Sequence, residues 1–111
     1  MTTARATLPQ AQDAVRVLGL EVARARRARR WSQAELAERA GVSRETVRKV
    51  EHGGSAVAIG TAFDLAALVG VELFGASPGE LPLLVRRGEE RLAVLPSRVR
   101  KRADLELDDE F

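Results

Sequence analysis

The sequence predicts an all-α protein. Its composition, the spacing of its apolar residues and the placement of its capping residues and glycines all favour that class. Of the 111 residues, 45% are hydrophobic and only 4% are aromatic, which favours a helical core of Ala, Leu and Val over a β-sheet. Apolar residues recur at helical spacing, and capping residues or glycines separate the helical segments. We expect a disordered arm over residues 1–12, a domain of four to five helices over 13–75, an additional C-terminal helix over 76–95 and a charged, flexible tail over 96–111.

The first predicted helix runs from Asp13 to about Arg29. Gly19 lies inside it and should weaken it by about 1 kcal/mol relative to Ala. Trp31, just beyond the helix, is expected to pack across the junction with the next one. The apolar stripe of the helix consists of Val15, Leu18, Val22 and Ala25. Its end is crowded with arginines, which fit either phosphate contacts or a solvated helix face: Arg24, Arg26, Arg27, Arg29 and Arg30.

Two short helices joined by a tight turn are predicted between residues 33 and 51. Ser32 and Glu35 form a capping box at the start of the first helix. Gly41 can take a positive φ at the turn without strain, and Ser43 caps the second helix. This is the layout of a helix-turn-helix, whose second helix enters the DNA major groove. The expected helices are Gln33–Ala40 and Arg44–Glu51.

The second of these helices has one polar and one apolar face. At about 100° per residue, its polar residues fall within roughly 140° of each other, and two valines lie on the opposite side. An ordinary amphipathic surface helix would share this division, but the cap, the turn glycine and the small residue of a close helix crossing together favour the DNA-binding motif. We expect four base-contacting residues: Arg44, Glu45, Arg48 and Lys49.

The segment SQAELAERAGVSRETVRKVEHG resembles the Xre/Cro family of phage-repressor-like DNA-binding domains, and the resemblance extends over about residues 14–74. It implies a phosphate contact by Gln33, which opens the first motif helix. It also implies that residues 44, 45 and 49 face base edges, and that Arg26 pairs with Glu51. We expect further phosphate contacts from Ser43, Arg24 and Arg27. Because Arg and Lys read guanine and Glu accepts from cytosine, we expect a half-site that contains G·C pairs.

A fourth helix is predicted from Ile59 to about Val69. The four residues after Gly70 alternate in polarity and fit either a short strand or a docking turn. A capping box at residues 77–80 then predicts a fifth helix to about Val94, although Pro82 could move its start by a few residues. Its apolar stripe could fold back on the domain, but we favour a dimer seam, because palindromic operators require two-fold proteins. The stripe includes Leu81, Leu84, Val85 and Leu92.

The tail after Pro96 is basic, then acidic, and ends in Phe111. Such a segment is too charged to fold alone, so it is either a solubilising tail or a short motif that orders on a partner. The whole layout is similar to HipB-like antitoxins of toxin–antitoxin operons. That resemblance implies a dimer that binds its own promoter and holds a HipA-like Ser/Thr kinase, with the apolar stripe and Phe111 as dimer or partner contacts.

Enzymatic and metal-dependent functions are not expected. The chain has no cysteine and a single histidine, His52, which follows a helix end where it would contact terminal carbonyls. We expect no cofactor, no metal and no membrane span, and a cytoplasmic location. The sequence therefore predicts a repressor that binds a palindromic operator in double-stranded DNA as a homodimer. Two alternatives stay open: a stand-alone phage-type or restriction-controller repressor, and a protein-interaction module that no longer binds DNA.

Overall fold

A computed structural model describes residues 8–98, which form five α-helices and no strand. The all-α prediction is confirmed. Two compact units meet in sequence between Gly75 and Ala76. The first unit holds four helices and the second holds one. The helices are α1 (Pro9–Ala28), α2 (Gln33–Ala40), α3 (Arg44–Glu51), α4 (Ile59–Leu68) and α5 (Leu81–Ala93).

The start of α1 differs from the prediction. The helix begins at Pro9, four residues before Asp13, so residues 9–12 of the expected disordered arm are helical. Proline has no backbone N–H to lose at the first helical position, and its fixed φ suits that position. Leu8 precedes the helix in an extended conformation, and residues 1–7 of the expected arm lie outside the described part of the chain.

The core of the first unit is built from all four of its helices. Each contributes one of the four largest fully buried side chains: Val22 from α1, Leu36 from α2, Val47 from α3 and Leu65 from α4. Gly19 of α1 is also buried, and a Cβ at this position would lie 2.2 Å from the carbonyl oxygen of Val50. The glycine thus permits a close approach of α1 to the end of α3, which explains why it is tolerated inside a helix.

Left-handed residues end α1 to α3 and fix the chain direction after each helix. Gly41 follows α2 with φ 69°, and Gly53 follows α3 with φ 78°. At the end of α1 the left-handed residue is Arg30, with φ 60°. Its N–H donates to the carbonyl of Arg27 at 2.9 Å, and the N–H of Trp31 donates to that of Arg26 at 3.2 Å. These are the two bonds of a Schellman motif.

The segment after α4 forms a turn and not the strand that the alternating sequence allowed. Phe74 and Gly75 both have positive φ, at 57° and 64°. The Phe74 ring contacts Phe63 edge-on, with ring centroids 5.8 Å apart. The turn holds Phe74 at the surface, where 78% of the residue is exposed.

In the second unit, α5 begins at Leu81 and not directly after the predicted cap at Ser77. Half of the expected capping box is present, because the Ser77 N–H donates to the Glu80 carboxylate at 2.8 Å. Pro82 explains the later start. A helix that began at Pro78 would carry Pro82 in its interior, where proline breaks a hydrogen bond and clashes with the preceding turn. With the observed start, Pro82 lies in the first turn.

Candidate nucleic-acid interface

The α2–α3 unit is held by side-chain caps at both helix starts. The Ser32 hydroxyl accepts from the Glu35 N–H at 3.0 Å, and the Glu35 carboxylate accepts from the Ser32 N–H at 3.1 Å. The Ser43 hydroxyl accepts from the Thr46 N–H at 3.1 Å and bonds to the Thr46 hydroxyl at 2.9 Å. The caps therefore fix where α3 begins and which side chains it exposes.

Helix α3 divides as its sequence pattern predicts. It buries Val47, Val50 and Glu51. The four residues expected to contact bases are all exposed: Arg44, Glu45, Arg48 and Lys49. Since the buried face anchors the helix in the core, the exposed face is presented as one rigid polar surface.

Two of these four residues are bonded to each other. The Arg48 Nε donates to a Glu45 carboxylate oxygen at 2.8 Å, and a second guanidinium nitrogen contacts the other oxygen. The hydrogen bond from Arg48 lowers the pKa of Glu45. Arg44 and Lys49 flank this pair in sequence, so the exposed face carries three cations and one anion.

A buried ion pair joins the end of α1 to the end of α3. The Arg26 Nε donates to Glu51 Oε2 at 2.6 Å, and its Nη2 donates to Oε1 at 2.9 Å. Both residues are buried, at 7% and 5% exposure. The Gln33 amide also donates to Glu51 Oε1, at 3.0 Å. Three elements thus converge on one carboxylate.

The surroundings of Glu51 favour its ionised form. Burial alone would raise the pKa of its carboxyl group, but hydrogen bonds from Arg26 and Gln33 outweigh burial, and the pKa lies below its ordinary value. The positive charge of Arg27 acts in the same direction. The same pairing raises the pKa of Arg26. The carboxylate therefore stays ionised, and Arg26 compensates its negative charge within the protein.

The residues expected to contact phosphates have different surroundings. Ser43 caps α3, and Gln33 bonds to Glu51. The Gln33 amide NH₂ keeps a second hydrogen, and Ser43 keeps its O–H for a phosphate when the Thr46 hydroxyl donates in their mutual bond. Arg24 is exposed and pairs with Glu21 of its own helix at 2.7 Å. Arg27 is exposed near Glu51.

Several arginines have structural roles that the sequence pattern did not reveal. The Arg16 guanidinium donates to the Glu51 carbonyl at 2.9 Å, and that of Arg29 donates to the Val69 carbonyl at 3.0 Å. Each therefore satisfies an acceptor at a helix C-terminus. Arg39 lies over the Trp31 ring, 4.1 Å from its centroid. The glycine inside α1, Gly19, is the one sequence signal that could have indicated the first of these contacts, because it permits the close approach of α1 to the end of α3.

The remaining predicted residues lie outside α2 and α3. In α5, Leu81 is half-buried, whereas Leu84, Val85 and Leu92 are exposed, and the helix as a whole buries no residue. Phe111 lies outside the described residues.

His52 follows α3 and its Nδ1 lies 2.8 Å from the Arg48 carbonyl oxygen, which is the terminal-carbonyl contact that its position suggested. Among residues 8–98, no helix has the length and hydropathy to cross a bilayer.

Comparison with known proteins bears on the first unit. The helix-turn-helix family model matches residues 22–75, from the middle of α1 to the turn after α4. Comparison with curated proteins and with solved structures found no match to the chain. The family match supports a DNA-binding transcriptional regulator. Over residues 22–75 the chain is therefore similar to Xre-like helix-turn-helix domains.

Proposed function

We propose that the protein is a sequence-specific repressor that inserts α3 into the major groove of its operator. The exposed face of α3 carries this proposal. Its four long polar side chains project from a helix whose other face is anchored by Val47 and Val50. A surface that only needed to be hydrated would not require such fixed geometry.

Base recognition follows from the chemistry of that face. Arg44 and Lys49 donate to the acceptors of guanine, and Glu45 accepts from the cytosine amino group. In the free protein Glu45 is bonded to Arg48. On DNA this pair exchanges its mutual bonds for bonds to a G·C pair, because the arginine fork fits guanine and the carboxylate fits cytosine.

Phosphate contacts orient α3 in the groove. We assign them to Gln33, Ser43, Arg24 and Arg27. The amide of Gln33 is held by Glu51, which supports its use as a pre-oriented donor. Arg24 must leave Glu21, an exposed pair whose loss costs little.

A dimer completes the operator complex. A palindromic operator presents the same half-site twice, related by a two-fold axis, and a two-fold dimer matches it. The exposed apolar residues of α5 support this helix as a dimer or partner contact, because such residues gain most from being covered. Those of the predicted set that are exposed are Leu84, Val85 and Leu92.

The finer proposal is that this repressor is a HipB-like antitoxin. It rests on the order of parts along the chain: a helix-turn-helix domain, an additional helix, and a basic-then-acidic tail that ends in Phe111. In that role the dimer represses its own operon in the cytoplasm and the tail binds a HipA-like kinase. Co-expression with the neighbouring gene product tests it. Recovery of a kinase with the full chain, but not with a chain truncated at Ser97, is expected; no recovery favours a stand-alone repressor.

Fluorescence anisotropy with the DNA upstream of the gene tests the repressor proposal itself. Full-length protein should bind that DNA in the presence of scrambled competitor, and binding should weaken steeply with salt. Arg44→Ala should cost about 1–3 kcal/mol on the operator and relax specificity at one base position. Arg86→Ala in α5 is the matched control, because it removes the same charge away from α3.

Each outcome of that titration separates the alternatives. Equal weakening by Arg44→Ala on operator and scrambled DNA would make Arg44 a phosphate contact only. Weak, equally salt-sensitive binding of the unaltered protein to both DNAs would overturn the repressor proposal and leave the protein-interaction module.

A further inference from the structure

An apolar cleft opens on the helix-turn-helix domain between α1, α4 and the turn after α4. Its volume is about 560 Å³. Several of its apolar lining residues are strongly exposed: Ile59 at 72%, Val17 at 58% and Phe74 at 78%. Large apolar side chains grouped in this way mark a surface that a partner covers.

The cleft is independent of DNA reading. Its only contribution from α3 is Val50. Arg48 lies near the centre of the exposed face of α3. On a helical projection Val50 lies about 160° from Arg48. The domain can therefore hold DNA on one side and another ligand in the cleft.

The same chain carries a helix that suits the cleft. At about 100° per residue, Leu81, Leu84, Val85 and Leu92 of α5 form an apolar stripe roughly 100° wide, and Leu83 lies on the opposite side. Gly88 lies within this stripe, and a Cβ built on it would meet no atom within 4 Å. Glycine in a helix interior costs about 1 kcal/mol relative to alanine, and nothing around Gly88 requires it. A glycine on the apolar face allows the backbone to approach a partner closely.

Charges on the two surfaces are complementary. Glu21 and Glu72 line the cleft. Arg87 and Arg91 border one edge of the α5 stripe. Opposite charges at the rim would favour one orientation of the helix and disfavour the reverse.

We propose that the cleft receives α5 of a second copy of this chain, so that two copies exchange their helices reciprocally. This rests on the proposed dimeric function and names the surface that completes it. A two-fold axis forms the contact twice. A stable interface buries roughly 1,200–2,000 Å² in total, so each helix-in-cleft contact needs to supply only about half of that area.

Site-specific cross-linking tests this arrangement directly, because the chain has no cysteine. One preparation carries Val17→Cys in the cleft and another carries Leu84→Cys in α5. They are mixed, equilibrated and treated with a short bifunctional thiol cross-linker. We expect a covalent dimer in the mixture and little in either preparation alone. Glu38→Cys, exposed on α2, replaces Val17→Cys as the control and should give no dimer with Leu84→Cys.

Efficient cross-linking of Leu84→Cys to itself, with none to Val17→Cys, would overturn the proposal in favour of an α5–α5 seam. A monomer by light scattering at all concentrations would overturn it as well.

A second variant probes the cleft without altering α5. Phe74→Asp should raise the dimer dissociation constant at least tenfold and leave the domain folded, because Phe74 is exposed and Asp tolerates a positive φ better. The lost contact with Phe63 should lower the melting temperature only slightly. An unchanged dissociation constant would count against the cleft. Arg44→Ala should remain dimeric, so a failure of DNA recognition and a failure of this interface are distinguishable.

Discussion

At the scale of single residues, the Arg26–Glu51 pair shows how a buried charge can be retained. The carboxylate accepts two bonds from Arg26 and one from Gln33, and every buried side-chain nitrogen or oxygen in the described part of the chain has a partner. Such a satisfied pair need not stabilise more than apolar residues would, but removing one member leaves the other buried and uncompensated. Its value lies in fixing the end of α3 relative to α1 and α2.

We therefore expect Glu51→Ala to lower the free energy of unfolding by about 3–5 kcal/mol. Chemical denaturation at neutral pH measures this loss. Glu21→Ala is the matched control, because it breaks an exposed pair with Arg24 and should cost less than about 1 kcal/mol. Similar losses in the two variants would contradict a special role for the buried pair.

The lowered pKa of Glu51 makes part of the stability depend on pH. A carboxyl group with a folded-state pKa below its unfolded value, which is about 4.3, stabilises the fold above that value. The contribution is lost as the pH falls through the folded pKa. In urea unfolding from pH 7 to pH 3, the stability difference between the unaltered protein and Glu51→Gln should be constant above about pH 5 and shrink below it. A difference that stays constant to pH 3 would show that the pKa of Glu51 is the same in the folded and unfolded states and would contradict its lowering.

At the scale of secondary structure, local chemistry made α2 and α3 predictable to the residue. Ser32 with Glu35, Gly41 and Ser43 act within one helical turn of the boundary that each one sets. The starts of α1 and α5 were less predictable. Pro9 follows a stretch without apolar periodicity. At α5, Pro78 and Pro82 both suit a first helical turn, but a helix that began at Pro78 would place Pro82 in its interior.

Contacts between helices could be predicted only where a pattern marked both partners. The Arg26–Glu51 pair was implied by family resemblance, whereas the bonds of Arg16 and Arg29 to helix-end carbonyls join residues 35 and 40 positions apart and left no trace in spacing. The base and phosphate contacts of α2 and α3 stay predictions, because they depend on DNA.

Gly19 tests whether helix packing outweighs helix propensity. Alanine is better than glycine by about 1 kcal/mol in a helix interior, but its Cβ would lie 2.2 Å from the Val50 carbonyl oxygen. We expect Gly19→Ala to destabilise the protein, as measured by thermal unfolding, because α1 and α3 must move apart. Gly60→Ala in α4, where a Cβ meets nothing within 4 Å, should be neutral or stabilising. A stabilised Gly19→Ala would show that the helices separate at little cost.

At the scale of the whole molecule, our two proposals assign complementary tasks to two surfaces of the domain. In them the exposed face of α3 reads one half-site while the apolar cleft, to which α3 contributes only Val50, is occupied at the same time. In the proposed dimer, rigid coupling between copies determines the distance and rotation between the two reading helices. Specificity then depends on operator spacing as well as on base sequence.

Operator spacing gives a prediction that neither surface provides alone. Half-sites about 10–10.5 base pairs apart lie on the same face of DNA. Inserting five base pairs between them turns the second half-site by about 180°, so a rigid dimer can engage only one. We expect at least tenfold weaker binding by anisotropy, because the second contact is no longer intramolecular. DNA with a single half-site should bind equally weakly. Binding that is insensitive to the insertion, yet stronger than to one half-site, would contradict a rigid dimer and indicate a flexible link between the copies.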